Sequence, residues 1–242
     1  MLEEQKVALR KLRTYVDQVG TRRPIHPEYV AATLDELAAG DAVFTMDTGM
    51  CAVWGARYLR ATAGRRFLGS FNHGSMANAL PQAIGAQAAY PARQVISLSG
   101  DGGLAMLMGD LLTIPQYQMP LKIVLFNNHR LVMVQMEMEV AGLPQFGCEL
   151  KNPSFAAVAE AIGLMGQRVE DPKEVRPALE KALASSGPAL VDLVTDPNVL
   201  AMPPKATVQQ ATGFALAMTK MAFDGEFGDV LDTVMANWRE LV

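Results

Sequence analysis

From Pro27 onward, short apolar runs alternate with segments of helical spacing. The spacing predicts helices over 27–39, 50–62, 77–89, 103–118, 154–162, 172–186, 206–222 and 227–240. Between them lie runs over 42–46, 66–69, 94–98, 121–127, 166–169 and 189–195, several of them β-branched and without strict apolar–polar alternation. Strands with both faces buried read this way, since neither face meets water. Alternating β and α segments of this kind predict an α/β fold, a doubly wound parallel sheet with helices on both faces. Asp171-Pro172 is a helix start, with Asp as N-cap and Pro at the first helical position.

The two ends of the chain read differently. Leu2, Leu9, Leu12, Val16 and Val19 form an apolar stripe opposite Lys6, Arg10, Lys11 and Arg13, and Thr21-Arg22-Arg23-Pro24 closes that helix. Phe227, Val230, Leu231, Val234, Trp238 and Leu241 form a second stripe near the C-terminus. The expected organisation is therefore a leading helix and linker over 1–24, an α/β domain over 25–198 and a helical tail over 199–242.

Composition narrows the classes. Of the 242 residues, 50% are apolar and 19% charged, which supports a buried core. No apolar run reaches the roughly 18 residues needed to span a bilayer, and the charged start MLEEQKVALRKLR is no secretory signal. Two cysteines, Cys51 and Cys148, make neither a disulfide framework nor a four-cysteine metal site, so a reducing cytoplasm is expected. A net charge of −4 argues against nucleic acid as a partner.

The chemistry concentrates in Ser97-Leu98-Ser99-Gly100-Asp101-Gly102-Gly103-Leu104-Ala105, where a buried strand passes into a helix. Gly100, Gly102 and Gly103 permit a tight turn and close approach of a ligand to the backbone, and a helix start suits an anion. Gly100-x-Gly102-x-x-Ala105 also satisfies a loose dinucleotide fingerprint. That reading expects an acidic residue at the end of the next strand, where the chain has Asn127-Asn128. Asp101 inside the turn would repel a pyrophosphate unless a divalent cation bridges them. If 94–98 and 121–127 are neighbouring strands, Asp101 and Asn128 converge as oxygen donors, with the Arg130 carbonyl as a third.

Gly100-Asp101-Gly102 followed by 24 residues and Asn127-Asn128 resembles the thiamine diphosphate motif of the pyruvate oxidase and acetohydroxyacid synthase superfamily. The segments 71–79 (FNHGSMANA) and 106–110 (MLMGD), Pro203-Pro204 and Asn237-Trp238-Arg239 resemble the bacterial pyruvate oxidase branch. The resemblance implies Mg²⁺ held by Asp101, the Asn128 side chain and the Arg130 carbonyl. It implies diphosphate contacts from Gly100, Gly102, Gly103 and Arg130-Leu131-Val132-Met133, and a second phosphate-facing loop at Thr48-Gly49. The ordinary alternative for Thr48 is a plain N-cap. The resemblance assigns Gly74-Ser75-Met76 to propping the bent cofactor, with the Gly74 carbonyl accepting from the aminopyrimidine and Met76 between the two rings.

In that superfamily the cofactor serves as an electron sink for decarboxylation of 2-oxoacids such as pyruvate, and in its oxidase branch a flavin takes the electrons. No segment resembles the pyrimidine-binding domain that completes the site, or a domain for FAD. The expectation is the diphosphate- and Mg-binding part of a pyruvate oxidase-like enzyme, inactive alone and acting in a homo-oligomer or with a pyrimidine-binding domain. The alternatives are an acetolactate synthase-like carboligase and a non-catalytic cofactor-binding fragment. Met133 departs from the aromatic residue usual in relatives. The tail resembles one that contacts membrane lipid, implying a peripheral contact at the inner face. From Asp224 to the end, five acidic side chains against one basic favour docking on the parent domain. Glu137 and Glu139 read as a solvated helix face. Cys51, near a helix start, reads either as an acidified thiol or as a small buried residue.

Overall fold

A computed structural model describes residues 15–200, 208–223 and 227–237. Within it the six apolar runs become β1 (Val43–Met46), β2 (Arg66–Gly69), β3 (Val95–Gly100), β4 (Lys122–Asn127), β5 (Met165–Val169) and β6 (Ala189–Val194). They form one sheet in the order β2-β1-β3-β4-β6-β5, and every neighbouring pair is parallel. A run such as Lys122–Asn127 is buried at every position, so it settles only in a sheet covered on both sides.

The described residues divide into two compact units. The first comprises 15–128 and 152–196 and contains the whole sheet. On one face α1 (Pro27–Leu37) packs against α2 (Met50–Tyr58) and, further along the chain, against 172–184. On the other, α3 (Ala79–Ala89) brings Leu80, Ala83 and Ala86 onto Val43, Val95 and Ile123. The alanines leave room for close helix–sheet approach. After β3 come α4 (Asp101–Met106), a 3₁₀ turn (Met108–Leu112) and α5 (Thr113–Gln116). The single helix expected over 103–118 is thus broken. Leu107 leaves helical geometry at φ −120°, and Pro115, without an N–H, sits in the last short piece.

The second unit comprises 129–151, 197–200, 208–223 and 227–237. It holds α6 (Val132–Val140), and the first unit's remaining helices are α7 (Phe155–Ala161) and α8 (Pro172–Ala184). Asp171 caps α8 by accepting from the Lys173 amide at 3.0 Å, with Pro172 at the first position, as the sequence predicts. The second unit is completed by α9 (Val208–Phe223) and α10 (Phe227–Asn237). α6 and α9 pack so closely that a Cβ on Gly213 would overlap the Val140 carbonyl oxygen. α6 has no bounds among the predicted helices, although the reading of Glu137 and Glu139 as a helix face falls within it; apolar and polar residues are mixed along VMVQMEMEV.

Of the C-terminal stripe, Val230 packs on Ala217, Met218 and Met221, whereas Phe227 and Leu231 are exposed. Trp238 and Leu241 lie outside the described residues, as do residues 2–14 of the leading stripe. Among the described residues no helix is long and apolar enough to cross a membrane.

Candidate functional site

The strand order reverses between β1 and β3. From β1 the chain moves outward to β2, then returns past β1 to β3 and continues the other way. In open α/β sheets the crevice beyond such a reversal, at the carboxyl ends of the strands, is where ligands bind. Three sequence-predicted segments end there: Thr48-Gly49 after β1, Gly100 to Gly103 after β3, and Asn128 after β4.

β3 and β4 pair with Gly100 opposite Phe126. Asp101 and Asn127 are therefore level at adjacent strand tips, with Asn128 one residue beyond. The Asp101 carboxylate is 3% exposed. Its Oδ1 accepts from the Gly102 amide at 2.9 Å, and its Oδ2 accepts from Asn152 Nδ2 at 2.7 Å. The same Asn152 nitrogen donates to Asn127 Oδ1 at 2.9 Å. Asn127 is fully buried and donates through Nδ2 to Asp192 Oδ1 at 2.8 Å. Asp192 in turn accepts from the Phe155 amide and from Arg168, both at 3.2 Å. One chain of hydrogen bonds thus orients the Asp101 carboxylate from strand to strand. Each bond to a charged partner is worth about 1.5–3 kcal/mol when buried.

The sequence reading missed Asn152. It lies 51 residues from Asp101 and in no local motif. A lone Asn before Pro153 gives only a turn signal.

It also missed Asp47, at the tip of β1. This carboxylate is 2% exposed, and burial pushes it up to about 6 from an ordinary 3.8. Bonds from the backbone of Asn78, Thr48 and Ala77 pull the other way without overcoming burial. Oδ1 accepts from the Thr48 amide at 3.0 Å, the Asn78 amide at 3.1 Å and Asn78 Nδ2 at 3.3 Å. Its other oxygen lies against Gly103, where a Cβ would overlap Oδ2 and stand 2.8 Å from Cγ. Gly103 thus leaves the room that the Asp47 carboxylate occupies at the start of α4.

The loop bearing Gly74, Ser75 and Met76 follows β2. Ser70 ties it, accepting from the Gly74 amide at 2.7 Å through its carbonyl and from the Ser75 amide at 3.1 Å through Oγ. Gly74 and Ser75 are exposed and Met76 is partly exposed. Gly74 has φ 69°, and Ala77 has φ 70°, a left-handed conformation that costs a residue with a Cβ about 1–2 kcal/mol.

Gly49, not Thr48, is the N-cap of α2, and no side chain caps it. Cys51 is buried and its thiol is pushed up to about 12, by burial first and by the neighbouring Asp47 charge second. The acidified alternative for Cys51 is overturned, because a helix start does not offset full desolvation.

Arg130, Leu131, Val132 and Met133 belong to the second unit. There Arg130 bridges Glu149 in antiparallel fashion, and the Leu131 amide donates to the Cys148 carbonyl at 2.8 Å. Val132 is buried, and Leu131 and Met133 are partly exposed. Glu139 corrects the expectation of a solvated face. It is fully buried on α6, accepts from Gln135 Nε2 at 2.8 Å, and is raised by burial against weaker pulls from Gln135 and Arg130. Glu137 on the same helix is exposed.

Among the described residues no cluster of three His, Cys, Asp or Glu side chains could hold a metal. The donors at the β3 and β4 tips are a carboxylate and an amide, a set that hard cations such as Mg²⁺ accept. A buried, oriented carboxylate beside backbone lacking a Cβ is a fit for a cation carrying an anionic group.

Residues 47–193 match the family model described as thiamine pyrophosphate enzyme, C-terminal TPP binding domain. YdaP of Bacillus subtilis, named as a candidate thiamine pyrophosphate-containing protein, is 38% identical over 87% of the chain and 36% of its own length. The Escherichia coli acetolactate synthase isozyme 2 large subunit is 34% identical over 71% of the chain and 32% of its own length. Acetolactate synthase 1 of Nicotiana tabacum is 35% identical over 70% of the chain and 27% of its own length. The chain thus spans about a third of the length of these relatives, and those named by a reaction are acetolactate synthases rather than pyruvate oxidases. The chain belongs to the thiamine pyrophosphate enzyme family, through its C-terminal TPP binding domain.

Proposed function

We propose that this chain supplies the diphosphate- and Mg²⁺-binding side of a thiamine diphosphate-dependent enzyme that decarboxylates a 2-oxoacid and joins the remainder to a second carbonyl compound, as in acetolactate synthesis. The observation that carries the reading is the pairing of β3 with β4, which sets Asp101 level with Asn127 and one residue short of Asn128 at the strand reversal. Asp101 and Asn128 are the metal ligands contributed by the first unit. Gly102 and Gly103 let the backbone approach the diphosphate, and Thr48-Gly49 faces it from β1. Gly74 orients the aminopyrimidine through its carbonyl, and Met76 holds the bent form by filling space without competing hydrogen bonds.

When bound, the cofactor supplies the electron sink for loss of CO₂. The chain's residues supply orientation and a preformed electrostatic site, which account for much of the acceleration in such chemistry. The opposite wall of the active site is assigned to a pyrimidine-binding domain, in a homo-oligomer or complex. The acetolactate synthase names of the relatives favour carboligation. The likeness of 71–79 and 106–110 to the oxidase branch favours the second reading, oxidation of pyruvate to acetate with FAD on another domain.

Titration of the full chain with thiamine diphosphate tests the binding reading. Saturable binding is expected with Mg²⁺, and its loss with EDTA and in Asp101→Ala. Equal binding without metal would overturn it. With a pyrimidine-binding domain supplied, incubation with pyruvate separates acetolactate from acetate.

A further inference from the structure

We propose that Asp47 is a positioning residue for the cofactor site: its buried carboxylate clamps the 74–78 segment in place and so fixes Gly74 and Met76 relative to the Thr48-Gly49 turn. The inference deepens the function proposed above, since it gives those residues their cofactor-facing role.

Three donated hydrogen bonds converge on one oxygen of this side chain, Oδ1. They come from the amides of Thr48 and Asn78 and from the Asn78 side-chain nitrogen. The Asn78 nitrogen also donates to the Ser75 carbonyl at 2.5 Å, so the segment is held at both ends of Met76. Between them Ala77 sits at φ 70°, a conformation a residue with a Cβ rarely adopts alone. By holding the Asn78 amide directly after it, the carboxylate fixes Ala77 in that strained conformation. On its far side Oδ2 lies against Gly103, whose lack of a side chain gives the carboxylate room to sit there. Thr45 Oγ1, two residues back on β1, donates to the Ala79 carbonyl at 2.8 Å and anchors the start of α3 to the same strand. Strained backbone held by surrounding bonds recurs at ligand sites, where it preforms the binding geometry. A buried charge costs stability, and at this position it is spent on a loop rather than on the core.

The test uses the full chain as wild type, Asp47→Asn, Ala77→Gly and the double variant. Amide-resolved hydrogen exchange is measured without cofactor, and thiamine diphosphate affinity by calorimetry in Mg²⁺. An amide keeps one acceptor oxygen, so Asp47→Asn should speed exchange at Ala77 and Asn78 about tenfold and weaken thiamine diphosphate binding about tenfold. Exchange in β3 and β4 should stay unchanged. Ala77→Gly should recover most of both losses, because glycine holds a positive φ without help. A merely structural carboxylate would not be rescued by added loop freedom. Asn78→Ala removes only the side-chain bonds and should move both readouts the same way about threefold, which serves if Asp47→Asn fails to fold.

Unchanged exchange at Ala77 and Asn78, loosened exchange with unchanged affinity, or failure of the glycine rescue would each overturn the clamp and leave the cofactor reading standing. Absence of thiamine diphosphate binding by wild type would overturn the cofactor reading and, with it, the positioning role.

Discussion

Asn152 Nδ2 lies 2.7 Å from Asp101 Oδ2, joining residues 51 positions apart at the tip of β3. The second hydrogen of the same amide goes to Asn127 Oδ1 at 2.9 Å, at the tip of β4. A planar amide with two donors matches two acceptors on neighbouring strands. It holds the Asp101 carboxylate in one orientation without neutralising it.

Removing that amide should be costly at the site. Asn152→Ala leaves a buried carboxylate oxygen and a buried carbonyl each one donor short, so stability should fall by about 1–3 kcal/mol. Mg²⁺-dependent binding of thiamine diphosphate should weaken about tenfold. Asn152→Asp places a second carboxylate against Asp101 and should weaken binding further. Calorimetric titration and urea unfolding of the three proteins check both effects, and an unchanged affinity in Asn152→Ala would count against the orientation argument.

The next link inward is Asp192, fully buried on β6 and accepting from Asn127, the Phe155 amide and Arg168. Asp192→Ala leaves two buried donors unpaired. The loss should be about 2–4 kcal/mol, less than for a fully buried ion pair because Arg168 is a third exposed. Asp192→Asn keeps one acceptor and should fall between the variant and wild type. Urea midpoints at constant slope measure the series.

Gly103→Ala should be among the most damaging single-methyl additions to the first unit, because its Cβ would overlap Asp47 Oδ2. Either Asp47 or the start of α4 must move, and thiamine diphosphate affinity should fall more than about tenfold. Gly109→Ala is the control. A Cβ there meets nothing within 4 Å, so stability should stay within about 0.5 kcal/mol.

Two buried carboxyls shape the dependence on pH. Asp47 is raised to about 6 from 3.8, and Glu139 is raised as well, both mainly by burial. Folding favours the neutral form of such a group. The stability that Asp47 contributes is whole below pH about 4 and is lost as pH rises through about 6. Glu139 acts in the same direction. Between pH about 4 and about 7, wild type should therefore lose more unfolding free energy than Asp47→Asn, and Glu139→Gln should likewise lose less than wild type as pH rises above the ordinary glutamate range. Urea unfolding across that range measures the difference, and parallel curves would refute the assignment.

The order of secondary elements was largely legible in the residues themselves. Continuous apolar runs with both faces buried can rest only in a helix-covered parallel sheet, so all six strands were found within one or two residues. The Gly100-Asp101-Gly102 and Asn127-Asn128 motifs were legible because each packs its chemistry into a few consecutive residues. The exceptions are physical too. The bounds of α6 are not read because its apolar and polar residues are mixed, and the helix over 103–118 breaks where Leu107 turns out of helical geometry.

What tertiary structure alone decided is how distant side chains meet. Nothing near Asn152 in the chain marks it as a partner of Asp101, and nothing near Asp47 predicts that the amide and side chain of Asn78 converge on it. Nor does the pattern of α6 show that Glu139 is sealed from water while Glu137 is not. Burial and hydrogen-bond pairing depend on which elements the fold brings together. Periodicity reports which face of an element is buried, and only the packed sheet and its loops determine what each buried polar group finds there.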